Sequence, residues 1–154
     1  MNNIIASVYI PARMKKHLAI FSQEFVDRVF SGKKTIESRF SQKKIAPFGV
    51  ISPGDTVYIK PSGKEIVGQF KVKKVVSFEG LDEEDMQTIQ KLYGKKINAP
   101  AEYFTDRKSS NYATIIFIGN LEKFITPPIR IRKSDLRGWV VLDWDYLILN
   151  FLVV

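Results

Sequence analysis

The sequence predicts an α+β fold: a small β-barrel, closed or partly open, with two to three helices set into the connections between its strands. Three observations predict it. Short runs rich in β-branched and aromatic residues alternate with Pro, Gly and Asn turn signals; two or three amphipathic stretches with capping residues interrupt them; and no repeat, heptad or low-complexity tract points to another architecture. Closing the sheet removes the exposed edges that many short strands would otherwise leave. At 154 residues the whole chain, 1–154, is expected to form one domain, long enough to bury about two-thirds of its unfolded surface.

The elements follow in order. Residues 1–16 read as an N-terminal arm or strand, because Ile4 to Ile10 is rich in Ile, Val and Tyr and stops at Pro11. Leu18 to Phe21 is a short apolar run opened by His17. From Ser22 the period changes to four, with Phe21, Phe25 and Val29 on one row and Val26 and Phe30 on the next. Ser22 suits the N-cap of that helix and Gly32 the left-handed residue that ends it. Alternation then sends Ile36, Ser38 and Phe40 to one side and Thr35, Glu37 and Arg39 to the other. Ile36 and Phe40 belong in the core, which places Glu37 and Arg39 side by side on a wetter face.

Ser41 to Pro53 reads as a loop, and Pro53-Gly54-Asp55 as a turn. Thr56 to Lys60 and Glu65 to Phe78 are two strands joined through Pro61 to Lys64. A second helix is expected from an Asp82 cap to Gly94, with Glu83, Glu84 and Asp85 in its positively polarised first turn. That setting explains the acidic cluster better than a divalent ion does. A shorter helix is expected from Asn98 to Arg107, a long strand over Tyr112 to Phe124, and a last clear strand over Gly138 to Leu142. Residues 143–154 form an apolar strand or tail. Interrupted by Asn150, the run Tyr146 to Val154 is far short of the roughly 20 residues of a membrane helix.

The formal charge of +8 produces a field that attracts phosphates and other anions. Cysteine is absent, which excludes disulfides, thiolate metal sites and cysteine nucleophiles and suits the cytoplasm. The basic residues Arg13, Lys15 and Lys16 follow the first apolar stretch, the wrong order for a secretory signal. A serine triad or zinc hydrolase needs imidazoles, and the chain has one, His17. His17 is read as structural or surface-lying. No metal or cofactor is expected, and neither a Walker loop nor a Rossmann fingerprint is present.

The segment Gly32-Lys33-Lys34-Thr35-Ile36-Glu37-Ser38-Arg39 matches all four defining positions of the GxKxxExR signature of the ASCH domain family. The signature follows a helix, and a Gly54-Asp55 turn leads into a strand about fifteen residues later, as in that family. The resemblance spans residues 17–142. It implies a PUA-like barrel, with Gly32, Lys34, Glu37 and Arg39 around a basic cleft for RNA or a modified nucleotide. Arg39 suits bidentate phosphate binding and Lys34 a mobile point charge, while Glu37 can accept from a base amino group or orient Arg39.

Arg130, Arg132 and Lys133 follow the double break at Pro127-Pro128, and alternation puts both arginines on one strand face as candidate phosphate contacts. Trp139 is either a base-stacking platform or a core residue. Lys71, Lys73 and Lys74 read as solvated.

The resemblance also implies an alternative, a small hydrolase acting on a modified nucleoside or RNA. One branch of this fold deacetylates a modified cytidine with a lysine at the Lys34 position and a threonine at the Glu37 position; ribonuclease activity is also attached to the family. In this chain Glu37 replaces the threonine and Thr35 lies two residues away, so Lys34, Glu37 and Thr35 are the catalytic candidates if the protein is an enzyme. A third reading is an adaptor that binds another protein.

Overall fold

The computed structural model describes residues 14–126 and 137–143. Six strands and three helices follow in the order β1 (Lys16–Phe21), α1 (Gln23–Phe30), β2 (Ile36–Ser41), β3 (Thr56–Pro61), β4 (Gly68–Glu79), α2 (Glu83–Ile97), α3 (Ala101–Thr105), β5 (Tyr112–Lys123) and β6 (Trp139–Val141). The sheet order is β2-β5-β4-β3-β1-β6. β1 and β3 run parallel, and every other neighbouring pair is antiparallel. The edge strands β2 and β6 do not pair, so the barrel is partly open along a seam between them. Among the described residues no helix is long and apolar enough to cross a membrane.

The first helix obeys its sequence signals. Ser22 Oγ accepts from the Phe25 N–H at 3.3 Å, and Gly32 has φ +79° just beyond the last turn, a conformation that costs a residue with a Cβ far more. The second helix starts as expected, with a reciprocal capping box between Asp82 and Asp85. It does not stop at Gly94. One further turn buries Ile97 completely, and Asn98 takes the left-handed position at φ 52°; Asn tolerates that region because its short polar side chain bonds locally. Arg28 of α1 donates to the Asn98 carbonyl and holds the turn. With Asn98 closing α2, α3 starts only after Pro100 and is shorter than the span expected from Asn98 to Arg107.

β4 begins at Gly68 rather than Glu65. At Gly68 a Cβ would collide with the Glu122 carbonyl and the Phe30 ring, so the strand pairs closely with β5 only because that side chain is missing. Two main cores result. The barrel core holds Phe21, Val57, Ile59, Phe70, Ile116 and Trp139. A second core, containing Ile36, Ile89, Ile97, Phe104 and Ile115, lies under α2 and α3. β2 is therefore covered on both faces, a condition that sequence alternation does not disclose.

The expected strand or arm over Ile4 to Ile10, the segment with Arg130, Arg132 and Lys133, and the apolar tail from Tyr146 lie outside the described residues.

Candidate functional site

Three elements meet at the open seam: β2 with the turn before it, the end of α1, and α3 with the residues after it. Lys34, two residues after Gly32, runs inward instead of outward. Only 2 % of it is exposed. Its Nζ donates to the carbonyl of Ile97, the last residue of α2, at 2.8 Å, and lies 4.9 Å from the Phe25 ring centre. A cation at a helix C-terminus complements the helix dipole, but burial still pushes the Lys34 pKa below its ordinary value, opposed by the charge of Glu37. The expected mobile point charge is thus a fixed, buried one.

Glu37 is also buried. Its Oε1 accepts the Ser38 N–H at 2.7 Å and lies 3.7 Å from Lys34 Nζ; Oε2 lies 3.4 Å from Arg39 Nη2. Alternation grouped Glu37 with Arg39 correctly, yet their face is not the wetter one. Ile36, Ser38 and Phe40 face the helical core, and Arg39 turns to the barrel side, where its guanidinium lies 5.1 Å from the ring centres of both Phe21 and Trp139. Arg39 Nη2 donates to the Ile20 carbonyl at 2.8 Å and Nη1 to the Gly138 carbonyl at 3.3 Å. One side chain on β2 thereby ties the strand to β1 and to the entry of β6 across the seam.

Beside this row opens a cavity of about 320 Å³, lined on one side by Glu37, Ser38 and Arg39 and on the other by Phe25, Tyr103 and Arg107. Tyr103 is held by Ser38: the tyrosine O–H donates to the Ser38 carbonyl at 3.0 Å, and Ser38 Oγ–H returns a bond to the phenol oxygen at 2.9 Å. Burial and the nearby Glu37 charge raise the Tyr103 pKa. Arg107 stacks on that ring, its Cζ 3.6 Å from the centre. A second cavity, of about 540 Å³, lies on the other side of Arg39 and is lined partly by Phe48, Arg137 and Trp139.

Three more candidates are placed as follows. Gly32 and Thr35 are exposed, and neither lines the cavity beside Glu37. Trp139 is 4 % exposed and belongs to the barrel core, where its indole N–H donates to His17 Nδ1 at 3.0 Å. His17 Nε2 faces Asp55 Oδ2 at 2.8 Å. Because Nδ1 accepts, Nε2 carries the proton and donates to Asp55. Both residues are buried, and His17 is structural rather than surface-lying.

The ASCH domain model matches residues 20–125, more than half of the sequence and all of the signature. The chain belongs to the ASCH domain family. The ASCH protein of Zymomonas mobilis shares the fold, at 15 % identity and a TM-score of 0.61, over 86 % of this chain and 90 % of that one. A point mutant of that protein, at 17 % identity, gives 0.62 over 89 % and 94 %. No curated protein matches the sequence. In this ASCH domain, sequence reasoning missed Tyr103 and Arg107, although their four-residue spacing at the end of an expected helix marks them as one face. It also missed Asp55, which the Gly54-Asp55 turn presented only as a turn residue.

Proposed function

We propose that this ASCH domain binds RNA or a nucleotide-like ligand in the cleft between β2 and α3. The observation that carries the reading is one cavity walled by two guanidiniums, those of Arg39 and Arg107, by the Glu37 carboxylate and by aromatic rings. A guanidinium suits phosphate, a carboxylate suits a base amino group, and ring faces suit a base. The cavity stands at the small end of the roughly 300–1,000 Å³ range of ligand pockets. It fits one nucleotide unit and not a duplex. Arg130 and Arg132 are proposed, on their sequence alternation alone, as further phosphate contacts along a bound strand. The cytoplasm is the proposed compartment, because a cysteine-free chain suits a reducing environment.

Affinity for single-stranded RNA should fall with added salt, with a slope of about −0.7 per phosphate neutralised. Filter binding at low salt tests this; retention no greater than that of a neutral control protein would overturn the RNA reading. The lowered Lys34 pKa favours a second reading, a hydrolase of a modified nucleoside or RNA, since an ammonium that gives up its proton more readily suits proton transfer. Against it, Lys34 lies behind Glu37 and does not line the cavity. Mass spectrometry of acylated nucleosides and short RNAs incubated with wild type and Glu37→Gln decides between them. Wild-type turnover that drops about 10²- to 10⁴-fold in the variant establishes the enzyme. Changed affinity without turnover establishes the binder.

A further inference from the structure

We propose that Arg107, a residue outside the GxKxxExR signature, is the phosphate contact of this cleft, and that Arg39 is the clasp of the barrel seam. This assignment rests on the reading that the cleft binds a nucleotide-like ligand. A guanidinium carries five N–H donors in a planar fork. Arg39 directs three contacts at the protein itself: to the Ile20 carbonyl, the Gly138 carbonyl and Glu37 Oε2. Its charge has a carboxylate partner, and it is packed against Phe21 and Trp139. To grip phosphate with two parallel bonds, Arg39 would have to release the seam.

Arg107 is the opposite case. Among the described residues its guanidinium makes one hydrogen bond, from Nη1 to the Tyr103 carbonyl at 3.0 Å, and no carboxylate lies within ion-pair distance of it. Four of its five donors are left for a ligand. Its plane is nevertheless fixed, because it stacks on Tyr103, and Tyr103 is fixed by two bonds to Ser38. The order Ser38, Tyr103, Arg107 transmits the position of β2 to a cation on the far wall of the cavity. A stacked guanidinium keeps its N–H edge open while losing little freedom on binding. Lys34, Glu37 and Arg39 together carry one net positive charge, and Arg107 adds a second. A phosphate monoester of about −1.5 to −2 charge matches that total.

Calorimetry with cytidine, cytidine 5′-monophosphate and a short oligocytidylate separates these roles, and the last two probes separate a free monoester from the diester of RNA. Wild type should bind the monophosphate about tenfold to a hundredfold more tightly than cytidine, the range expected of charge-assisted hydrogen bonds. Arg107→Gln should shrink that ratio to about threefold or less without lowering the Tm, and Arg107→Lys should recover part of it by restoring the charge. Arg39→Ala should lower the Tm by several degrees, on the scale of about 2–4 °C per kcal/mol for a chain of this size. The milder Arg39→Lys should keep the phosphate-dependent ratio. A wild-type ratio in Arg107→Gln, or a collapsed ratio in a fully stable Arg39→Lys, overturns the assignment alone. Wild type that binds none of the three probes overturns the nucleotide reading and the assignment with it.

Discussion

Two buried polar clusters flank the barrel seam, built from similar ingredients but differing in how completely they are satisfied. In the His17–Asp55–Trp139 cluster every partner is accounted for. Asp55 accepts from His17 and from the backbone N–H groups of Lys15 and Ser52 at 2.8–3.0 Å, while the indole N–H fills the remaining histidine nitrogen. In the Lys34–Glu37–Arg39 cluster the ion-pair distances are 3.7 and 3.4 Å, and Glu37 and Arg39 border open space. A fully bonded network fixes structure, whereas a half-bonded one retains capacity for something else. The first cluster joins β6 to β1 and to the turn before β3. The second waits at a cavity.

If that contrast holds, damage to the first cluster should cost stability and damage to the Lys34–Glu37 pair of the second should not. The largest effect is expected from Asp55→Ala, which strands the His17 N–H and two backbone N–H groups in the interior; urea denaturation should show a loss of about 3 to 5 kcal/mol. A loss below about 1 kcal/mol would mean that water replaces the carboxylate. Trp139→Phe removes one donor and some volume and should cost about 1 to 3 kcal/mol, with the signature side of the cleft still able to bind.

A subtler effect comes from pH. Burial lowers the His17 pKa below its ordinary 6.5, so the unfolded chain takes up a proton at higher pH than the folded one. The His17 contribution is therefore fully present above about pH 6.5 and is lost as pH falls below it. Thermal melts between pH 7.5 and 5 should show this decline, and His17→Gln should flatten it. The smallest effect is expected from the paired change Lys34→Met with Glu37→Gln. Removing both buried charges together should leave stability within about 1 kcal/mol of wild type, or raise it, while ligand affinity falls. A large loss of stability would make the second cluster as structural as the first.

Much of this was legible in the sequence. Ser22 and Gly32 bracket α1 because capping chemistry is local, and the Asp82 cap is readable for the same reason. The end of α2 was not, because Gly94 is a permissive residue in an ordinary helical position and the demand to bury Ile97 is tertiary. The site was half legible. Its four signature positions are consecutive enough to recognise, and period-two alternation groups Glu37 with Arg39. Which face is dry depends on α3 covering β2 from outside, and that depends on contacts between residues about 65 apart, such as Ser38 and Tyr103. Arg107 has no signature at all. Its significance appears only when the ring beneath it and the empty space beside it are seen together.

The short strand β6 also carries a kinetic implication. Its indole reaches a histidine 122 residues earlier in the chain, and its three-residue ladder with β1 is among the most non-local pairings in the molecule. The β3–β4 ladder, by contrast, joins strands consecutive along the chain and pairs residues as near in sequence as Ile59 and Gly68. Closing a long loop costs entropy before its few contacts can repay it. β6 is therefore expected to dock late as the chain folds, and hydrogen exchange should find the amides of residues 139–141 the first of the barrel to open.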